Sequence, residues 1–377
     1  MMLVNRCGTM VVPFMTLYLT ENKHVSIGKA GFVMALFGAG SIVGGFLGGK
    51  LTDKFGSYYI QLIALIGGGL MFFLLGHVEG YPAICVVTFL LSLVNEAFRP
   101  ANSAAVAQYS EAQNRTRSFS LNRLAVNLGW ALGGGLGGFI AAYDYHLLFW
   151  IDGFSNIGAA ILLWGVLAPS KTKLRAEQPA TRPAGNIPSA YKDKPYLIFI
   201  VLTTLFAYCF FQLFTTLPLF YKRVLLLNEQ YIGGLMAMNG LVIAAIEMVM
   251  VFKIEGRRND LHFIFFGVLL VGLSFALYNL LIVPALLAVL CMLLATFGEM
   301  FSMAFMNSYW SRRSLPENRG QYAGLYAIAW STAQVLGPGT GAVVAEQYGF
   351  NVLWWLLAGF CLIAAAGFKW LQRKEEN

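Results

Sequence analysis

Along the chain, long apolar runs alternate with short polar breaks. The runs fall at roughly 1–20, 26–49, 58–77, 82–107, 117–142, 147–168, 195–221, 229–252, 261–280, 283–309, 320–344 and 350–371. Each approaches the ~20 apolar residues that carry a helix across a bilayer core. The expected fold is therefore an all-α membrane protein with twelve transmembrane helices. The first run is unusual, because Asn5 and Arg6 arrive after only four residues. Either the natural chain starts upstream or the first helix is short. A secretory signal is not expected, since no basic region leads into an apolar core with a small-residue cleavage site.

Composition strengthens this picture. The 377 residues are 58% hydrophobic and 12% charged, against about 25% charged in soluble domains. Of the 26 Lys and Arg residues, 19 fall in one alternating set of loops, which includes the Ser170–Lys194 stretch and the C-terminal tail. By the positive-inside rule both termini are cytoplasmic, in the plasma membrane of a cell expected to be bacterial. The net charge of +8 is thus a matter of topology, and no nucleic-acid partner is expected. Cys7, Cys85, Cys209, Cys291 and Cys361 are scattered singly, without disulfide or metal-site spacing. No metal is expected.

The long polar linker divides the chain into 1–168, 169–194 and 195–377, six helices on each side. The halves also repeat. When Asn114-Arg115 is laid on Asn318-Arg319, Leu121 meets Leu325, Ala125 meets Ala329, Gly133 meets Gly337 and Gly137 meets Gly341. Duplicated six-helix halves are typical of secondary transporters. Two pseudo-symmetric bundles are the expected architecture.

The candidate chemistry centres on Asn95-Glu96-Ala97-Phe98-Arg99-Pro100-Ala101-Asn102, in the fourth run. Glu96 and Arg99 share one helix face, and intramembrane charges usually mark an ion or substrate pathway. The structural alternative is an ion pair that pins one helix to another. Gly129, Gly133, Gly137 and Gly138 give the fifth helix a close-packing face, as Gly40, Gly44 and Gly48 do the second. Glycines 133, 135 and 138 also spell a dinucleotide fingerprint, but no strand precedes them.

Gly49-Lys50-Leu51-Thr52-Asp53-Lys54-Phe55-Gly56 forms a short cytoplasmic turn in which Gly56 can take a positive φ and Asp53 can cap a helix start. Here the sequence resembles the major facilitator superfamily, whose loop reads Gly-x-Leu-x-Asp-Lys/Arg-x-Gly before a basic pair; Ser57-Tyr58 replaces that pair. Arg99-Pro100-Ala101-Asn102-Ser103 is similar to the family's fourth-helix Arg-x-x-Gln-Gly. The Gly129–Gly138 stretch is similar to its antiporter motif, with Gly134 in place of proline, whereas Gly337-Pro338-Gly339-Thr340-Gly341 retains the proline. The resemblance covers essentially the whole chain, and favours the branch of proton-coupled drug antiporters.

The resemblance implies that helices one, four, seven and ten line a central cavity. Arg6, Glu96, Arg99 and Glu299 fall on those helices and are the expected proton-coupling residues; for Glu299 the structural alternative is a bond to Ser302 or Asn307. Gly49, Asp53, Lys54 and Gly56 form the expected conformational-switch loop, and Gly337, Pro338 and Gly341 complete the helix-packing motif. Tyr208, Phe211, Gln212, Phe301 and Asn307 are the expected cavity contacts, in aromatic- and methionine-rich helices suited to lipophilic substrates.

Neither a Ser-His-Asp set nor a metal cluster is apparent, and no Walker loop occurs. The expectation is not an enzyme but a secondary transporter with no cofactor beyond a proton gradient. It is expected to act as a monomer, by antiport of lipophilic or cationic small molecules. Proton symport of peptides or another small polar nutrient is the alternative, and a non-transporting receptor on the same fold is a third.

Overall fold

The computed structural model describes residues 1–110, 115–167, 189–280, 284–315 and 318–376. Asn114 and linker residues 168–188 lie outside the described residues, and with them most of the linker's basic and proline positions. Helices account for nearly everything described, and no strand occurs among these residues.

The helices, in order, are α1 (Met2–Cys7), α2 (Val11–Leu17), α3 (Ile27–Phe55), α4 (Ser57–His77), α5 (Tyr81–Glu96), α6 (Phe98–Tyr109), α7 (Arg115–Tyr143), α8 (His146–Val166), α9 (Lys194–Phe211), α10 (Thr216–Arg223), α11 (Glu229–Ile254), α12 (Asp260–Leu277), α13 (Pro284–Arg313), α14 (Arg319–Tyr348) and α15 (Phe350–Glu376). Eleven stretches among the described residues are long and apolar enough to span a bilayer. The twelfth expected crossing, α14, has the length but is interrupted by too many polar and small residues to match them.

Three expected crossings are broken, and proline chemistry accounts for each. The first runs through α1, a non-helical step at Thr9-Met10, α2 and a π-turn over Tyr18–Asn22. The fourth breaks at Ala97 between α5 and α6. The seventh passes from α9 through a 3₁₀ turn over Gln212–Phe214 into α10. Proline has no N–H to give to the carbonyl four residues earlier. Pro13, Pro100 and Pro218 therefore leave the carbonyls of Thr9, Glu96 and Phe214 without their helical partner, and each break lies there. Proline alone does not decide the outcome, since Pro338 sits inside an uninterrupted α14.

The chain falls into two compact units, Met1–Pro179 with Asn228–Leu241, and Ala180–Leu227 with Val242–Asn377. The first half of α11 thus belongs to the first unit and its second half to the other. In the first unit, α3 lies against α5 and α6 through Gly40, Gly44 and Gly48, where an added Cβ would meet the Phe89 and Leu93 carbonyls and Ala97. In the second unit Gly267 and Gly298 bring α12 and α13 together in the same way. Without a hydrophobic drive between helices in lipid, such close backbone approach supplies the packing. The outward positions are large and apolar, among them Phe46, Ile63, Phe139, Trp164, Phe252 and Ile363, as a hydrocarbon surround requires.

Candidate functional site

Within the first unit the break at Ala97 sets the geometry of the Glu96–Arg99 pair. Glu96 ends α5 and Arg99 lies in the first turn of α6, and their side chains meet, Arg99 Nη2 to Glu96 Oε2, at 2.9 Å. The Glu96 side chain is 10% exposed and that of Arg99 is 68% exposed. The carboxylate is thus the desolvated member, and its arginine reaches in from an open side.

Arg6, in α1, lies close enough to Glu96 and Arg99 for both charges to act on it. Its Nε is fully buried without a hydrogen-bond partner, and the guanidinium makes no ion pair or hydrogen bond among the described residues. A charge in hydrocarbon costs roughly 2.5–3.5 kcal/mol on insertion scales, so a half-buried arginine whose Nε has no partner is an expensive feature to retain. The backbone at Arg6 is pressed against Gly129 of α7, where an added Cβ would strike it. Gly133 likewise meets the carbonyls of Arg6, Cys7 and Thr9, and Gly137 meets Met10 and Phe14. One face of the glycine motif is thus a bed for the first crossing. Its other face, through Gly134 and Gly138, meets Met236 and Gly233 of α11. Nearby, the Tyr145 hydroxyl donates to Glu229 Oε1 at 3.0 Å.

A frame of buried polar groups on α8 holds the break in the first crossing. Both carboxylate oxygens of Asp152, which is fully buried, accept from the Met10 N–H at 3.0 and 3.1 Å, and Oδ2 also accepts from the Val11 N–H at 2.9 Å. Asn5 Nδ2 donates to Asn156 Oδ1 at 3.0 Å, and Asn156 Nδ2 to the Asp152 carbonyl at 2.8 Å. The broken helix therefore keeps its orphan amides satisfied, and Arg6 is fixed between two anchors. Asp152 stands in the sequence as a lone acid within an apolar run, with no local sign of its contact with helix one.

Glu299 lies half-buried in α13, in the second unit. The two side chains suggested as its partners are engaged with backbone: Ser302 Oγ donates to the Gly298 and Glu299 carbonyls, and Asn307 Nδ2 to the Met303 carbonyl. Gln212 is not a free polar lining group. It is fully buried, donates to the Tyr208 and Gly337 carbonyls and accepts from the Thr216 hydroxyl. It stitches the 3₁₀ break to α14, where Gly341 makes room for it. Tyr208 bonds Thr340 at 2.7 Å. Phe211 packs on Trp330 with ring centroids 6.0 Å apart. Phe301 is half-buried and Asn307 exposed.

In the switch loop, Gly56 has φ +87° as expected. Asp53 is not a cap: α3 runs on through Phe55, which leaves Asp53 in its last turn. The N-cap of α4 is Gly56, without a side-chain bond. Asp53 is exposed and makes no hydrogen bond or ion pair among the described residues. Gly49 lies in open space, and Lys54 rests over the Phe55 ring.

A clasp in the second unit has no counterpart in the sequence reading, which used its basic residues for topology alone. Asp193, just before α9, takes Arg313 Nε at 2.6 Å and Nη2 at 2.9 Å, and accepts from the Tyr322 hydroxyl at 2.8 Å. Arg313 also reaches Glu375 at 2.6 Å, which accepts from Tyr309 as well. Burial pushes the Asp193 carboxyl up, but the Arg313 and Tyr322 bonds, the Tyr196 N–H and the arginine's charge outweigh it and hold the group below the usual carboxylate range. Arg312 pairs with Asp260 across α13 and α12. Among the described residues no group of His, Cys, Asp and Glu forms a metal site. A small apolar cavity of about 10 Å³ lies between Val11, Met15, Met34, Phe37, Leu75 and Leu91, with room for about one water.

Long apolar helices, close-packed on glycine and carrying charges sunk within their spans, define a multi-pass membrane protein of the transporter type. Residues 2–338 match the model of the Major Facilitator Superfamily, and the chain belongs to that family, whose members are transporters rather than enzymes. It is 26% identical to the MFS-type transporter YqjV of Bacillus subtilis, over 98% of this chain and 91% of that one. It is 22% identical to a Na(+), Li(+), K(+)/H(+) antiporter of Planococcus maritimus, over 98% and 93%, and 21% identical to multidrug resistance protein 2 of Bacillus subtilis, over 98% and 92%. A crystal structure of a POT family transporter in complex with 5-aminolevulinic acid superposes with a TM-score of 0.79 at 13% identity, covering 99% of this chain and 94% of that one. That likeness concerns the fold.

Proposed function

We propose that the chain is a proton-coupled secondary active transporter that works by alternating access, with the buried Glu96 as a proton carrier and Arg99 as its partner. The observation that carries this reading is the Glu96–Arg99 pair, one member desolvated and the other open, beside the half-buried Arg6. A carboxylate whose pairing changes as the surroundings open and close exchanges its proton between the two sides of a membrane. Glu299 is the second proton-site candidate. No cofactor is needed beyond the proton gradient. The protein is proposed to act as a monomer in a bacterial plasma membrane, with both termini cytoplasmic, on the loop charges counted above.

Antiport efflux of lipophilic small molecules is the favoured direction. The antiporter and multidrug relatives support it, as does the aromatic group of Phe206, Phe210, Phe211 and Trp330. A second reading, proton symport of a small polar nutrient such as a peptide, is favoured by one observation. Two guanidiniums face a single carboxylate in the Arg6–Glu96–Arg99 group, an excess that weighs against a cationic substrate.

The test is reconstitution in liposomes with an imposed pH gradient, following proton movement on addition of cationic dyes, neutral lipophiles, or di- and tripeptides. Proton release driven by a lipophile supports antiport. Proton-driven accumulation of a peptide replaces it with symport, and no proton movement with any of them overturns both.

A further inference from the structure

The acidic groups near Arg6 are already committed. Asp152, on α8 beside α1, has its carboxylate on the Met10 and Val11 amides at 2.9–3.1 Å. Glu96 is held by Arg99 at 2.9 Å. The Asn5 amide, one residue away, is bonded to Asn156. Arg6 Nε, by contrast, is a buried donor with no acceptor among the described residues. It is also not loosely placed: Gly129 grips its backbone, and the helix that carries it is anchored on both sides by α8. A planar, permanently charged fork fixed in this way matches the two oxygens of a carboxylate or a phosphonate.

We infer that Arg6 is the receptor for an acidic group on the transported molecule, so that the substrate is an amphiphile with an apolar body and one carboxylate-like anion, not a lipophilic cation. The inference rests on the reading of the Arg6–Glu96–Arg99 group as the transport site, and it holds for either direction of transport. Arg99, on the open side of Glu96, supplies the second positive charge that favours an anion's approach.

Binding to the purified full chain in detergent tests this apart from transport. The probes are benzoate, phenylacetate, decanoate and N-acetylphenylalanine, each compared with its primary amide and with a trimethylammonium compound of the same apolar body. At least one acid is expected to bind about tenfold or more tighter than its amide, which is the range for a hydrogen bond to a charged group. The ammonium compounds should bind no better than the amides. Arg6→Gln should abolish that preference, Arg6→Lys should retain part of it, and Arg123→Gln should leave it unchanged. The melting midpoint of each variant reports its folding, and if Arg6→Gln does not fold, a preference undiminished in Arg6→Lys overturns the proposal. It is equally overturned if no acid is preferred to its amide, or if the preference survives Arg6→Gln. Acid preference without proton movement in liposomes would remove the proton-coupled reading and leave this one standing.

Discussion

Asp152 and Val11 meet 2.9 Å apart, a fully buried carboxylate on one helix accepting the first amide of another. Met10 adds its own N–H to the same group, so a single side chain closes the gap that Pro13 helps to open. Asp152→Ala should leave both amides orphaned, at about 1–3 kcal/mol for each unsatisfied buried donor. The melting midpoint in detergent should fall well below that of Asp152→Asn, which keeps one acceptor. Equal midpoints for the two variants would show that the break does not depend on this bond.

The proton-carrier assignment predicts that Glu96→Gln removes pH-driven transport and leaves the melting midpoint close to that of the parent. Glu299→Gln should do the same if it is the second site. Unchanged pH-driven flux in both variants excludes the assignment.

Close packing on α7 predicts a graded series. Gly129→Val and Gly138→Val should lower both folding yield and transport, since a Cβ at either position meets the backbone of Arg6 or Gly233. Gly45→Ala is the control, because its Cβ would meet nothing within 4 Å. Transport by Gly138→Val at the parent's rate would mean that this contact is dispensable.

Pro100→Ala should return the N–H that the Glu96 carbonyl lacks. Proline in a helix interior is about 3 kcal/mol less favourable than alanine, which is the ceiling on the gain. A higher melting midpoint with slower transport is expected, because a straightened helix re-aims Glu96 and Arg99. A straightened helix with unaltered transport would detach the break from function.

The Asp193–Arg313–Glu375 clasp predicts a pH dependence. Its carboxyl is held below the ordinary value, so the stabilisation is present above that value, about pH 4, and is lost as the pH falls through the depressed one. The difference in melting midpoint between the parent chain and Asp193→Asn should be largest near neutrality and shrink in acid. A difference that grows in acid would contradict the assignment.

Much of this was legible in the amino-acid pattern. Apolar run lengths place nearly every helix, and the Gly56 turn and the glycine faces of α3 and α7 follow from spacing. The breaks were missed although their signal was present, with Pro13, Pro100 and Pro218 each standing inside an apolar run. Periodicity counts hydrophobic residues and does not register a missing N–H. Gln212 was misplaced for a related reason: polarity inside a membrane segment suggests a ligand contact, whereas here a nearby break supplies unpaired backbone groups that the amide satisfies. The contact between Asp152 and the start of α2 joins residues about 140 apart in the chain, which no local pattern encodes.

The freed carbonyls of Thr9, Glu96 and Phe214 also have a mechanical meaning. Bending an intact helix stretches a hydrogen bond, but at these three positions that bond is already absent, so a bend there meets little added resistance. Crossings one, four and seven each contain such a hinge at a defined residue. The tenth crossing, α13, is continuous from Pro284 to Arg313. It has no proline after its first residue, so Glu299 rides on a helix without such a break.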